Sequence, residues 1–119
     1  MDDYKRTIAI DFDGVVHLHR KNNDYQPGII DDEPVKDAAF AIRQLRKFYK
    51  VVIYSARAAD PVGETAIRTW LQKYNIEVDD VTSKKQPVLV YIDDRAIQFK
   101  GSWEQTLKDI ENFKHWLGH

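Results

Sequence analysis

The sequence predicts an α/β fold: a parallel, doubly wound sheet of about five strands flanked by helices, with no cap domain and a short flap after the first strand. Three observations predict it. Short apolar, β-branched runs (Thr7-Ile8-Ala9-Ile10, Val51-Val52-Ile53-Tyr54, Val88-Leu89-Val90-Tyr91-Ile92) have the composition of strands buried on both faces. Segments of helical period lie between and after them, which is the alternation of crossover-connected parallel strands. Each run also ends in polar chemistry, at Asp11/Asp13, Ser55 and Asp93/Asp94. In open α/β sheets ligands bind outside the carboxyl ends of the strands.

Taken in order, residues 6–11 form the first strand. The polar stretch 14–33, with Pro27-Gly28 as its turn signal, leaves the sheet and returns as the flap. Pro34 suits a first helical turn, and Ala38, Ala39, Ile42, Leu45 and Phe48 or Tyr49 recur at helical spacing, so a helix is expected over 34–49. The second strand, 51–54, runs into Ser55-Ala56-Arg57. Asp60-Pro61 reads as an N-cap with proline at N1, and Ile67, Trp70, Leu71 and Tyr74 give the stripe of the helix behind it. Residues 76–81 supply a short third strand and 88–92 the fourth. Ser102-x-x-Gln105 fits a capping box before a stripe of Trp103, Leu107, Ile110, Phe113 and Leu117. The three tryptophans, 70, 103 and 116, are expected to pack in or beside the core.

A chain of 119 residues, 43% of them hydrophobic, makes one domain over 1–119 with a single core. The net charge of −1 gives the chain no general attraction for nucleic acid or anionic membrane, although it leaves room for an enzyme acting on a nucleic-acid end. With no cysteine there is neither a disulfide framework nor a thiolate zinc site. No apolar stretch approaches the roughly 20 residues of a membrane span. The polar N-terminus is unlike a signal peptide, so the expected location is cytoplasmic.

If the first and fourth strands are neighbours, Asp11, Asp13, Asp93 and Asp94 converge. At about 4 Å and an effective dielectric near 20, each like-charged pair costs roughly 4 kcal/mol. A proton or a cation must settle such a site, and all-oxygen ligands favour a hard ion such as Mg²⁺. Asp11 and Asp13, two apart, share one face of an extended strand, and Gly14 lets the backbone leave abruptly.

Carboxylates, hydroxyl, lysine and carboxylates, in that chain order, resemble the four motifs of the haloacid dehalogenase (HAD) superfamily, most of whose members are phosphatases. Motif one resembles Asp11-Phe12-Asp13-Gly14-Val15, motif two Ser55, motif three Lys85, and motif four Asp93-Asp94. The resemblance runs from residue 8 to about 99, and the Tyr91–Ile97 run looks like small capless members of bacteria and phages. It implies a Rossmann-like sheet and a Mg²⁺-dependent phosphohydrolase. Asp11 would form an aspartyl-phosphate, and Asp13 would give and take the proton. Ser55 and the Ala56 N–H would hold a phosphoryl oxygen. Lys85, favoured over Lys84 by its spacing from Tyr91, would supply a fixed positive charge. The metal would take Asp11, the Asp13 carbonyl, Asp93 and Asp94, with Asp94 either a ligand through water or an orienter of Lys85.

Arg57 leaves the same strand end as Ser55, so it is a substrate contact or half of a structural ion pair. Arg95 reads as structural. His17 and His19 alternate in the flap before Arg20-Lys21 and read as exposed loop histidines, with a small basic patch contacting substrate as the alternative; His115 and His119 read as solvent-facing in the tail. Asp31-Asp32-Glu33 reads as a cap cluster. Two other functions share these features: a receiver-type phospho-acceptor domain, which turns over once per chain, and a non-catalytic phosphate-binding module. A phosphotransferase passing the group to an alcohol is also open. The spacings from Asp11 to Ser55 and from Ser55 to Lys85 leave no room for a cap domain, so an open site is expected. It would take a phosphorylated small molecule or a polynucleotide end, with a lid from the flap or from a second subunit of a homo-oligomer.

Overall fold

A computed structural model describes residues 3–20 and 25–113. Four parallel strands form one sheet in the order β3-β2-β1-β4: β1 (Thr7–Asp11), β2 (Lys50–Tyr54), β3 (Asp80–Thr82) and β4 (Val90–Ile92). The sequence suggested about five strands; the described residues form four. The run 88–92 supplies only three ladder residues at the sheet edge, and the segment after it adds no further strand among the described residues.

The register fixes what meets at the strand ends. Ile8 and Ile10 pair with Val51 and Ile53 on one side and with Val90 and Ile92 on the other. Residues paired across a sheet share its face, so these six side chains form one apolar surface. Ile8, Ile10, Val51 and Ile53 are buried there, beneath Ile42 of α1 (Ala38–Leu45) and Ile67, Trp70 and Leu71 of α2 (Pro61–Lys73). Val90 and Ile92, at the edge, stay exposed.

Helix α2 starts as its sequence dictates. Asp60 accepts a hydrogen bond from the Val62 N–H, and Pro61 occupies the first turn, where no intrahelical N–H is needed. Helix α1 is shorter than the expected 34–49. Pro34 is taken up in an antiparallel bridge with His17, and Asp37 sits in the left-handed region (φ 66°), so the helix begins only at Ala38. Helix α3 (Trp103–Glu111) begins at Ser102, whose hydroxyl accepts from the Gln105 N–H. The Gln105 side chain donates to Asp109 instead of reaching back, so half of the capping box forms.

Trp70 is buried, as expected, and its indole N–H donates to the Asp32 carbonyl at 2.9 Å. Trp103 departs from expectation: it is 69% exposed, with Leu107 and Ile110 exposed beside it. Trp116, Leu117, His115 and His119 lie outside the described residues, as do flap residues 21–24.

Gly63 sets how closely α2 approaches the turn after β2. A Cβ built there would fall 2.0 Å from the Arg57 carbonyl oxygen, so Gly63→Ala must push the helix off the turn. The expected loss is about 3 kcal/mol, the upper range for overpacking, measurable by urea unfolding. A loss under about 0.5 kcal/mol, within the range of neutral surface changes, would contradict that packing.

Candidate metal and phosphate site

Because Ile10 pairs with Ile92, Asp11 at the end of β1 lies beside Asp93, the first residue beyond β4. Oxygens from the Asp11, Asp93 and Asp94 carboxylates all lie within 4.8 Å of one another. Asp93 is further oriented by the Arg95 N–H, which donates to it at 2.9 Å. Burial and then the Asp93 charge push the Asp11 carboxyl up to about 7, with Asp94 and Asp13 adding to the rise and the Phe12 N–H opposing it. A half-buried carboxylate facing two others binds either a proton or a cation. Three carboxylates, with no nitrogen or sulfur donor, fit a hard divalent ion of the Mg²⁺ type.

Asp13 is close by, but its oxygens are engaged elsewhere. Glycine makes this possible: Gly14 (φ 87°) turns the chain so that its N–H donates to the His17 carbonyl, and His17 returns beneath Asp13. Asp13 Oδ1 meets His17 Nδ1 at 2.9 Å, and its Oδ2 accepts from Arg57 Nε at 2.8 Å. His19 Nδ1 stands 3.6 Å from the same Oδ1. His17 Nε2 accepts the Asp32 N–H at 3.0 Å, so that nitrogen carries no proton and Nδ1 is the donor to Asp13. Asp13, His17 and His19 lie within metal-ligand distance of one another, but both His17 nitrogens are spent in this network. For Asp13, burial opposes ionisation; the bonds from His17 and Arg57 outweigh it and hold the carboxyl below its usual value. Burial depresses His19 against the opposing pull of Asp13.

Arg57 is the hub of this arrangement. It is 0% exposed. Besides Asp13, it donates through Nη1 to the carbonyls of Gln26, Pro27 and Ile29 at 2.8, 3.0 and 3.0 Å, and the Tyr25 ring covers its guanidinium at 4.8 Å. Arg57 thus makes the structural ion pair with Asp13 and ties the segment 26–29 to it through Nε and Nη1. The exposed-loop reading of His17 is corrected, since it is 1% exposed and stacked on Phe12. Asp32 is no helix cap. It is buried at 2% exposure and accepts from the Arg20 N–H. The signal for His17 was present in Val15-Val16, an apolar pair that carries the chain back into the core. Its strand end marked Arg57 as one half of an ion pair, but nothing marked its burial, since its other partners are backbone carbonyls.

Ser55 is buried at the end of β2. Its hydroxyl accepts the Arg57 N–H at 3.2 Å, capping the short 3₁₀ turn Ala56–Ala59, while Ala56 is exposed on the rim. Lys84 and Lys85 are both exposed. The Lys85 ammonium lies 5.5 Å from the centre of the Tyr91 ring, and among the described residues no ion pair joins it to Asp11. Thus Asp11, Asp93 and Asp94 come together, Asp13 and Ser55 stand nearby in structural bonds, and Lys85 is not drawn in.

Comparison of the chain with protein-family models, with curated proteins and with solved structures returned no match.

Proposed function

We propose that this protein is a Mg²⁺-dependent phosphohydrolase of the HAD type that acts on phosphomonoesters through an aspartyl-phosphate on Asp11. One observation supports the reading: three carboxylates converge at the carboxyl ends of two adjacent parallel strands, with Asp11 pushed up to about 7 by burial and then by the Asp93 charge. Asp11, Asp93 and Asp94 would hold the ion, which would offset the repulsion between an anionic nucleophile and an anionic phosphate. Asp11 attacks phosphorus. Ser55 and the Ala56 N–H, at the neighbouring strand end, are the donors suited to a phosphoryl oxygen.

The bonds around Asp13 bear on the two proton transfers. Held as a carboxylate by His17 and Arg57, it is ready to take a proton from water when the acyl phosphate is hydrolysed. In that state it gives no proton to the first leaving group. Substrates whose leaving oxygen needs little help are therefore expected to react fastest. The exposed rim at Ala56, with no cap domain among the described residues, suits a phosphate carried on a larger molecule, a nucleic-acid end or nucleotide among them.

The test is phosphate release from an aryl phosphate, an alkyl phosphate, a set of phosphorylated metabolites, and 3′- and 5′-phosphorylated oligonucleotides. Continuous release that needs Mg²⁺, stops with chelator and is about tenfold or more faster for aryl than for alkyl leaving groups is the expected outcome. A single phosphoryl group taken up per chain would point to a receiver-type domain, and no reaction on any substrate would point to a binding module.

A further inference from the structure

His17 is a buried ionisable side chain outside the proposed ion site, yet every polar group it has is committed. Its backbone N–H donates to the Phe12 carbonyl at 2.9 Å, and its own carbonyl accepts from the Gly14 N–H at 2.8 Å. The ring stacks on Phe12, with centroids 5.4 Å apart and planes 16° from parallel, and meets the Trp70 indole edge to face at 5.6 Å. Its two nitrogens meet the Asp32 N–H at 3.0 Å and Asp13 Oδ1 at 2.9 Å.

The bonding continues past Asp32. The Asp32 carbonyl accepts the indole N–H of Trp70 at 2.9 Å, so its backbone is pinned by His17 at one group and by α2 at the other. Trp70 belongs to the buried core. A continuous line of hydrogen bonds thus runs from the core helix, through the Asp32 backbone and the His17 ring, to Asp13.

Its direction is forced. A backbone N–H only donates, so Nε2 accepts and the ring proton sits on Nδ1, facing Asp13. The other tautomer would set two donors face to face at Asp32 and turn a lone pair toward the Asp13 carboxylate. A half-turn of the ring would set carbon against both partners. Arg57 Nε holds the second carboxylate oxygen, Oδ2, at 2.8 Å. One fixed donor on each oxygen keeps the carboxylate from turning, and a carboxylate's remaining acceptor sites, about two of its four, stay open.

We propose that His17 is a positioning residue: its Nδ1–H, held in that tautomer by the Asp32 backbone and Trp70, fixes the direction in which Asp13 meets the attacking water. This rests on the reading of Asp13 as the group that takes the water's proton. In that step the water oxygen bonds to phosphorus, its proton passes to Asp13, and the bond from phosphorus to the Asp11 oxygen breaks. Formation of the aspartyl-phosphate from an aryl phosphate needs no proton from Asp13. Loss of aim therefore slows the second step alone.

Burst and steady-state kinetics on an aryl phosphate test this in wild type, His17→Gln and Trp70→Phe. Glutamine can still accept from the Asp32 N–H but leaves no donor at the Nδ1 position. Phenylalanine keeps a ring at 70 and removes its N–H. His17→Gln is expected to release about one aryl group per chain in a burst and then turn over about 10- to 100-fold more slowly. Its kcat/KM, which reports the first step, should stay within about threefold. Trp70→Phe should show the same pattern at smaller size, and His17→Asn, whose amide N–H stands near Nδ1, should recover most of kcat. A folded His17→Gln in which kcat and kcat/KM fall together, or in which neither changes, overturns the proposal.

Ring-nitrogen NMR of the metal-free wild type at pH 8 tests the same aim without turnover, and it stands if a variant fails to fold. Nδ1 is expected to carry the proton and Nε2 to be bare, with the Nδ1 signal moved by Asp13→Asn. A proton on Nε2 overturns the proposal. A wild type inert on every substrate sinks the phosphohydrolase reading, and the ring NMR still decides whether His17 aims Asp13.

Discussion

Replacing Asp11 with Asn is expected to abolish phosphate release and, in the metal-free protein at pH 8, to raise thermal stability. The loss of activity follows if Asp11 is the proposed nucleophile, and should then be about 10⁴-fold or more. The gain in stability follows from the same crowding that makes the site. In the folded chain the Asp11 carboxyl is pushed up to about 7 by burial and by Asp93. In the unfolded chain it titrates near 3.9. Between those values the folded state binds the extra proton, so the wild type loses stability as pH rises from about 4 to about 7 and then levels off. Asn carries no charge and escapes that loss. The difference between variant and wild type should be near zero at pH 4 and reach about 1–2 kcal/mol above pH 7, water screening part of the repulsion at this half-buried site. Saturating Mg²⁺ should reverse the order, because the ion stabilises only a chain that can bind it. Equal stability of the two proteins from pH 4 to 8 would show that the carboxylates do not crowd one another.

Arg57→Met is expected to be the most damaging single change to the fold. The guanidinium is fully buried and supplies Asp13 and three flap carbonyls with donors. Met fills much of the volume but donates nothing, leaving a carboxylate and three carbonyls to find water. Breaking a buried ion pair from one side costs about 3–5 kcal/mol. Arg57→Lys should rescue little, since one ammonium cannot reach along both directions of the guanidinium fork. The Asp13 contribution is present above the ordinary carboxylate value of 3.8 and fades as pH falls through its lower folded value. Urea unfolding above pH 5 therefore reads the full effect. If Asp13 is the proposed proton-transfer group, its displacement should also lower turnover about 10- to 100-fold at temperatures where the variant is still folded. A loss below about 1 kcal/mol in the Met variant would mean that Arg57 does not organise the flap.

Much of this was legible because it rests on apolar patterning. The runs around Ile8–Ile10 and Val51–Ile53 could only be buried strands, and Asp60-Pro61 could only begin a helix. Once the strands were parallel neighbours, the meeting of Asp11 with Asp93 followed. What sequence did not carry was set by atoms that all residues share. Arg57 is buried because three flap carbonyls need a donor, and carbonyls leave no trace in side-chain pattern. The Val15-Val16 pair before His17 pointed back to the core, but the bonds that hold it there come from the Gly14 turn and an N–H from Asp32. Helix α1 lost its expected first turn to a bridge at Pro34 and a left-handed Asp37, both tertiary effects. The α3 stripe announced an amphipathic helix, and Ser102 announced its start. Lys85 matched its motif by spacing alone, and spacing along a loop does not fix where an ammonium points.

If the ends of β1 and β4 share one divalent cation, calorimetric titration of Mg²⁺ into the metal-free protein should show one ion per chain at pH 8, with affinity falling roughly tenfold per unit as pH drops below 7 and protons compete for Asp11. Binding should be lost in both Asp11→Asn and Asp93→Asn. Binding of unchanged strength in those two variants would contradict a shared ion.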